Sequence, residues 1–193
     1  MAPAKMSDAS GLAMSRWFRL GVALAILAVL WWFLLGVLER ETRNAEERAA
    51  NMVLGQLRSA LVIKGAEVML SRDGNLAEQR GINPFELIEH QWSRYRGHCS
   101  APVPDPGSWC FQAGQHNETD AQADGWLIYN PRQPITIDER PARSQQPQAW
   151  RVTTEFADRN GNGVREQEER LTGLKLAPVS LAGEPLPAQD ARN

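Results

Sequence analysis

The chain has 193 residues, enough for one modest domain and an additional segment. Its 21 basic and 23 acidic side chains leave a formal net charge of −2, which argues against a nucleic-acid-binding protein, since such proteins need a basic surface. The three histidines (90, 98 and 116) lack the spacing of a zinc site, and the contact of His98 with the adjacent Cys99 is expected to be incidental.

An uncharged run near the N-terminus divides the chain. From Leu20 to Leu38 the sequence reads "LGVALAILAVLWWFLLGVL", 19 residues without a charge. As a helix with a rise of about 1.5 Å per residue, the run is about 28 Å long, close to the hydrocarbon thickness of a bilayer. The alternative, a cleaved signal peptide, has an apolar core of only about 7–15 residues and a small-residue cleavage site. The sequence therefore predicts an uncleaved transmembrane helix over 20–38.

The charges before this run predict its orientation. Three basic residues and one acidic residue precede it, and positively charged segments tend to stay in the cytoplasm. These residues are Lys5, Arg16 and Arg19, with Asp8 opposed to them. We expect residues 1–19 to form a cytoplasmic tail, with 1–15 disordered, and residues 39–193 to lie in the periplasm of a bacterium with two membranes.

The helix is predicted to continue beyond the apolar run. Residues 39–70 contain no proline and are rich in Glu, Arg, Ala and Leu, which favour helix. Apolar residues recur there at near-helical spacing and form a stripe that we expect to pack on a domain. The stripe consists of Ala50, Leu54, Leu57, Leu61 and Val68. One helix is thus predicted from about Trp17 to Leu70, and residues 39–80, including the turn "SRDGN", are assigned to its amphipathic continuation.

A second, short helix is predicted after this turn. Asn83 suits an N-cap, Pro84 suits the first helical position, and Glu86 has capping-box spacing. The predicted helix covers about 84–94.

The second half of the chain has the pattern of strands. Five short segments are apolar, often β-branched, and separated by Gly, Pro, Asn and Asp. They are "SWCFQ", "GWLIYN", "ITI", "AWRVTTEFA" and "LTGLKLA". In the fourth, Trp150, Val152, Thr154 and Phe156 alternate with more polar residues, as in a half-buried strand. The polar segments 113–124 and 138–148 are expected to be surface loops.

This order of elements predicts an α+β fold. The apolar stripe of the long N-terminal helix and one face of a small antiparallel sheet can bury each other. We assign residues 81–178 to a periplasmic α+β domain. The Pro- and Ala-rich residues 179–193 are expected to form a flexible tail.

The two cysteines predict a disulfide. Cys99 and Cys110 bracket "SAPVPDPGSW", whose Pro and Gly residues can bring the ends of the segment together. An oxidising compartment would preserve the bond, which contributes about 2–3 kcal/mol for so short a loop. The alternative is two free, buried thiols. A C-x-x-C motif is absent from the sequence, so thiol-exchange chemistry is not expected.

The segment "DRNGNGVREQEE" has the spacing of a calcium-binding loop. The candidate ligands are Asp158, Asn160, Asn162, Val164 through its carbonyl, Glu166 and Glu169. The preceding strand does not suit an EF-hand, and Arg165 stands where paired EF-hands have an apolar residue. The alternative is a polar hairpin turn, which the same residue types favour. Arginines offset most of the acidic charge, so any calcium site is expected to be weak, with Kd near 10⁻⁴–10⁻³ M.

Several segments carry a resemblance to a known family. They are "NPFELI" followed by "YRGHC", then "GSWCF", "GWLIYNPR" and "WRVTTEFADRNGNGVREQEE". Over about residues 20–178 the chain resembles type IV pilins and type II secretion pseudopilins, above all the single-span accessory proteins of MSHA pilus biogenesis. The resemblance implies a hydrophobic N-terminal helix that carries an antiparallel sheet.

The chain departs from the pilins at the prepilin peptidase signal. That signal is a glycine followed by an aromatic residue and a glutamate at the fifth mature position. Gly11 and Gly21 are followed by no acidic residue before Glu39. The resemblance therefore implies an unprocessed accessory protein rather than a filament subunit.

The sequence contains no recognisable catalytic motif and no phosphate-binding glycine loop, so an enzyme is not expected. It predicts a membrane-anchored periplasmic accessory protein of type IV pilus biogenesis or a related secretion system. The expected partners are the inner membrane and other subunits of that machine. The alternative is a single-span periplasmic sensor that binds calcium or another ligand, and calcium is the one cofactor considered.

Overall fold

The computed structural model of the chain describes residues 8–89, 92–114, 125–166 and 168–181, with the backbone alone for 8–16. The chain divides into two compact units, residues 1–45 and residues 46–193.

Helix α1 spans Asp8–Leu70, so it ends at the predicted residue but begins before the predicted Trp17. The expected disorder of residues 1–15 is therefore wrong for 8–15, and residues 1–7 lie outside the described part. Every side chain from Trp17 to Ala45 is exposed. Among the described residues, α1 is the one helix long and apolar enough to cross a membrane, with a mean hydropathy of 2.5 over its most apolar 18-residue window.

In the second unit, one side of α1 is buried. All five residues of the predicted stripe lie on this side, together with Val53. The five stripe residues are spaced by three, four or seven, which places them on one face of a helix, where burial of a leucine contributes about 1.5–3 kcal/mol. Gly65 lies on the same side, and a Cβ added there would stand 3.3 Å from the backbone nitrogen of Leu174. A glycine at 65 thus allows the helix to approach the sheet closely.

The sheet has five strands in the order β1-β2-β3-β6-β7, and a separate two-stranded sheet consists of β4 and β5. The strands are β1 (Tyr95–His98), β2 (Ser108–Gln112), β3 (Trp126–Asn130), β4 (Ile135–Ile137), β5 (Arg140–Ala142), β6 (Gln148–Phe156) and β7 (Leu171–Val179). The predicted α+β fold, with the long helix packed on a small sheet, is confirmed. The sheet is mixed rather than purely antiparallel, because β1 runs parallel to β2.

All five predicted strands are present, but two further strands were not predicted. Strand β5 falls in the segment 138–148 that was expected to be a loop. Asp138 and Glu139 between β4 and β5 have φ of 55° and 62°, which gives a tight hairpin turn without the glycine that usually marks one. Of the other predicted loop, 113–124, only residues 113 and 114 are described.

The predicted helix over 84–94 is wrong in length. Only Pro84–Leu87 form a 3₁₀ helix, with a second 3₁₀ helix at Leu76–Gln79. Asn83 caps the turn as predicted, since its side chain accepts a hydrogen bond from the backbone of Phe85. The same side chain donates to the hydroxyl of Tyr95 at 2.8 Å, and the rings of Phe85 and Tyr95 stack at 4.0 Å. These contacts hold Tyr95, the first residue of β1, against the 3₁₀ turn at Pro84–Leu87.

The sheet is buried on both faces. Trp109, Tyr129 and Trp150 pack together on the face that carries α1, with ring centroids 4.4 Å and 5.5 Å from that of Trp109. The other face has a smaller cluster of Cys110, Ile128, Ala149 and Val179. Val179 is a buried member of β7, so the flexible tail predicted for 179–193 does not begin there. Residues 182–193 lie outside the described part.

Candidate functional site

A buried carboxylate joins α1 to the sheet. Glu46 is 6% exposed, and one of its oxygens accepts hydrogen bonds from the Tyr129 hydroxyl and the Arg132 backbone N–H, both at 2.8 Å. Burial raises the pKa of Tyr129, and its hydrogen bond to the Glu46 carboxylate raises that pKa further. Tyr129 therefore stays a neutral donor, and the hydrogen bonds connect the helix to the end of β3.

Polar side chains of α1 also bind the backbone of β4. The N–H of Thr136 donates to Glu47 and its carbonyl accepts from Asn51, each at 2.9 Å. Asn51 accepts a further bond from the N–H of Asp138, whose carboxylate pairs with Arg58 at 2.7 Å. The helix thus supplies the donors and acceptors that a neighbouring strand would otherwise provide. Sequence reasoning missed these contacts, because their partners lie 80 to 89 residues apart.

The candidate calcium loop connects β6 to β7, and its first half folds around side-chain oxygens. The two oxygens of Asp158 accept the N–H groups of Gly161 and Gly163, at 2.7 Å and 2.8 Å. The side-chain oxygens of Asn160 and Asn162 each accept the N–H two residues further along. These oxygens belong to positions one, three and five of the predicted motif, and they turn into the loop.

The second half of the loop completes this cluster. One Glu166 oxygen accepts from the side-chain amides of Asn160 and Asn162, at 2.8 Å and 3.1 Å. Glu169 is 4% exposed, and its two oxygens accept the N–H groups of Arg159 and Glu166, both at 3.0 Å. Five predicted ligand residues therefore share one hydrogen-bonded loop. The sixth, Val164, has an exposed side chain and would contribute only its carbonyl.

The metal-binding capacity of this loop stays a prediction. Within the described ranges, no three His, Cys, Asp or Glu side chains are grouped closely enough to hold an ion. An ion at this loop would depend on amide and backbone oxygens as well as on carboxylates, which calcium accepts as ligands.

The predicted disulfide between Cys99 and Cys110 is present, with 5.0 Å between the Cα atoms. It closes a loop over the face of the sheet away from α1, and Asn130 of β3 donates to the carbonyl of Pro104 in that loop at 2.8 Å. The alternative of two free thiols is wrong. His98 packs edge-on against Phe111, with ring centroids 5.8 Å apart.

The side of α1 opposite the sheet is apolar and exposed. Met52, Val62, Ile63 and Leu70 are between 59% and 88% exposed. Isolated apolar residues are common on protein surfaces, but exposed apolar residues that recur along one side of a helix are typical of a contact surface.

Comparisons of the chain with protein-family models, with curated proteins and with solved structures found no match.

Proposed function

We propose that the chain is a single-span inner-membrane protein that acts through protein contacts in the periplasm. In this proposal residues 20–38 cross the membrane, residues 1–19 are cytoplasmic and the α+β domain is periplasmic. The observation that carries the proposal is α1 itself. A single helix includes a fully exposed apolar run and, further along, the buried stripe at the centre of the domain. The disulfide supports an oxidising compartment.

The class of machine follows from the resemblance to the accessory proteins of MSHA pilus biogenesis. We propose that the chain assists the assembly of a type IV pilus or a related secretion system without entering the filament. The exposed apolar side of α1 supports a role in contact with other proteins, because binding surfaces often bury such residues.

The membrane topology can be tested on the full chain with a C-terminal affinity tag. Mass spectrometry of protein extracted from membranes should find the intact N-terminus, and protease added to spheroplasts should digest the C-terminal domain. A mature protein that begins near Glu39 would contradict the anchor. A cut after Gly11 or Gly21 would contradict the unprocessed form, and a domain protected in intact spheroplasts would contradict the orientation.

The assembly role can be tested by extraction in a mild detergent followed by identification of copurifying proteins. Pilus or secretion components should be recovered with the tagged chain, and they should be absent from a control preparation in which the same tag is carried by an unrelated single-span protein. Recovery of no such component with the native chain would contradict the proposal.

A second candidate function is a calcium-responsive sensor with a single anchor. The observation that favours it is the loop of residues 158–169, in which the side-chain oxygens at motif positions one, three and five take part in one hydrogen-bonded turn. Calorimetric titration of the purified chain with calcium tests this candidate, and the absence of heat at millimolar calcium would reject it.

A further inference from the structure

The exposed side of α1 carries a regular seam in the second unit. Seven residues recur at alternating spacings of three and four, and all seven are exposed and uncharged. They are Ala49, Met52, Gln56, Ser59, Ile63, Ala66 and Leu70. Leu54, Leu61 and Val68, on the opposite side of the helix, are buried against the sheet. At about 1.5 Å per residue, the seam extends for about 30 Å along a side of α1 that the domain leaves exposed.

Alternating three- and four-residue spacing is the pattern by which one helix packs along another. Side chains at these positions insert between those of a partner helix and keep facing it over several turns. Small residues, here Ser59 and Ala66, allow close approach. The Ser59 hydroxyl donates to the carbonyl of Gly55 at 3.0 Å, so a helix packed over it would leave no hydroxyl proton unpaired.

We propose that this seam binds the same seam of a second copy of the chain, with the two helices parallel and in register. Because the seam carries no charge, two identical faces do not repel each other. In a parallel, in-register pair Gln56 would face Gln56 of the partner subunit, and a side-chain amide can both donate to and accept from its twin. A single polar residue at such a position is a known determinant of register.

Two cations near the seam form ion pairs within their own chain. Arg58 pairs with Asp138 at 2.7 Å, and Lys64 pairs with Glu67 at 3.2 Å, so both cations are offset within their own chain. A partner of opposite charge is therefore not required. The parallel orientation depends on the proposed function, in which residues 20–38 of each copy cross the membrane. Two chains held by the same span enter the periplasm in the same direction and at a high effective concentration.

The test is disulfide crosslinking of the full-length chain in native membranes. Cys99 and Cys110 are bonded to each other, so a third cysteine reports on its own contacts. In separate variants, Met52→Cys lies near the first end of the seam and Leu70→Cys at the other end, about 27 Å apart. Under mild oxidation both variants should form a disulfide-linked dimer of two copies. Coexpression of two forms of the chain with tags of different size shows whether both halves of the dimer are this chain. An antiparallel pair would crosslink at neither end, and this outcome overturns the proposal.

Two controls make the result specific to the seam. Lys175→Cys lies between Leu174 and Leu176, which pack towards α1, so residue 175 points to the far face of the sheet. It should form little dimer, whereas dimer as abundant as at the seam overturns the proposal. Adding Ile63→Glu to Leu70→Cys should abolish the dimer, and adding Val103→Glu, at an exposed residue of the disulfide loop, should leave it unchanged. An adduct with another protein in place of the dimer also overturns the proposal. The test of membrane topology is independent of the crosslinking test. If the topology is as proposed but no dimer forms, only the proposed self-pairing is rejected.

Discussion

Two surface loops of similar length, residues 99–110 and residues 158–169, are held by different forces. The first is closed by the Cys99–Cys110 bond, and Cys110 is buried in an apolar cluster with Ile128. The second contains no cysteine, and all its described residues except Glu169 are exposed. Its shape comes from carboxylate and amide oxygens that accept hydrogen bonds within the loop.

The difference concerns what each loop can respond to. A covalent bond and apolar burial are nearly insensitive to salt, whereas exposed charges are screened by salt and bind ions. We therefore expect loop 99–110 to respond to reductant, and loop 158–169 to respond to cations.

The largest expected effect comes from opening the first loop. Replacing both cysteines by alanine should lower the free energy of unfolding by about 2–3 kcal/mol, because the unfolded chain regains the freedom that the bond removes. Urea denaturation of the full chain in detergent measures the change, and reductant added to the native chain should have a similar effect. Equal stability of the native and double-alanine chains would contradict this prediction.

The second loop should lose stability when its buried carboxylate is removed. Glu169→Ala leaves the N–H groups of Arg159 and Glu166 without their acceptor, which should cost about 2 kcal/mol. The matched control is Glu168→Ala, an exposed neighbour whose loss should change stability by less than about 0.5 kcal/mol. Similar effects of the two substitutions in urea denaturation would show that burial of Glu169 does not matter.

Calcium should increase the stability of the protein through loop 158–169 and not through loop 99–110. At free calcium about ten times Kd, binding adds about 1.4 kcal/mol and raises the melting temperature by a few degrees. Asp158→Ala should abolish this shift, whereas the double-alanine cysteine variant should keep it. Identical melting curves in millimolar calcium and in chelator, with no heat on titration, would make the loop an ordinary polar turn.

The smallest effect is expected at Val164. Its side chain is 66% exposed and the predicted ligand is its backbone carbonyl, so Val164→Ala should change stability by less than about 0.5 kcal/mol. The calcium-dependent shift in melting temperature should also remain. A lost shift would show that the side chain, rather than the carbonyl, matters to the loop.

Local patterns predicted the parts of the structure that local interactions specify. The stripe on α1, the alternation of Trp150 and Val152, and the short Cys99–Cys110 segment each depend on residues close in sequence. The turn of loop 158–169 also forms through hydrogen bonds between residues close in sequence, and its binding of calcium stays a prediction.

The parts that were missed depend on distant partners or on unusual turns. Glu46 looks like one more charge on a helix, and only its pairing with Tyr129, 83 residues later, explains its burial. Strand β5 follows a tight turn in which Asp138 and Glu139 both have positive φ, a conformation that Asp tolerates but Glu rarely adopts. Strand β1 is short and contains Gly97 with φ of 76°, so its pattern is too weak to recognise as a strand.

The burial of α1 against strands that come much later in the chain has a consequence for the order of synthesis. Val68 is made 108 residues before Leu176 of the same apolar cluster. At about 5–20 residues per second, roughly 5–20 s pass between the synthesis of these two residues. During that interval the sheet side of the helix lacks part of its native cover, so the growing chain exposes apolar residues that can aggregate.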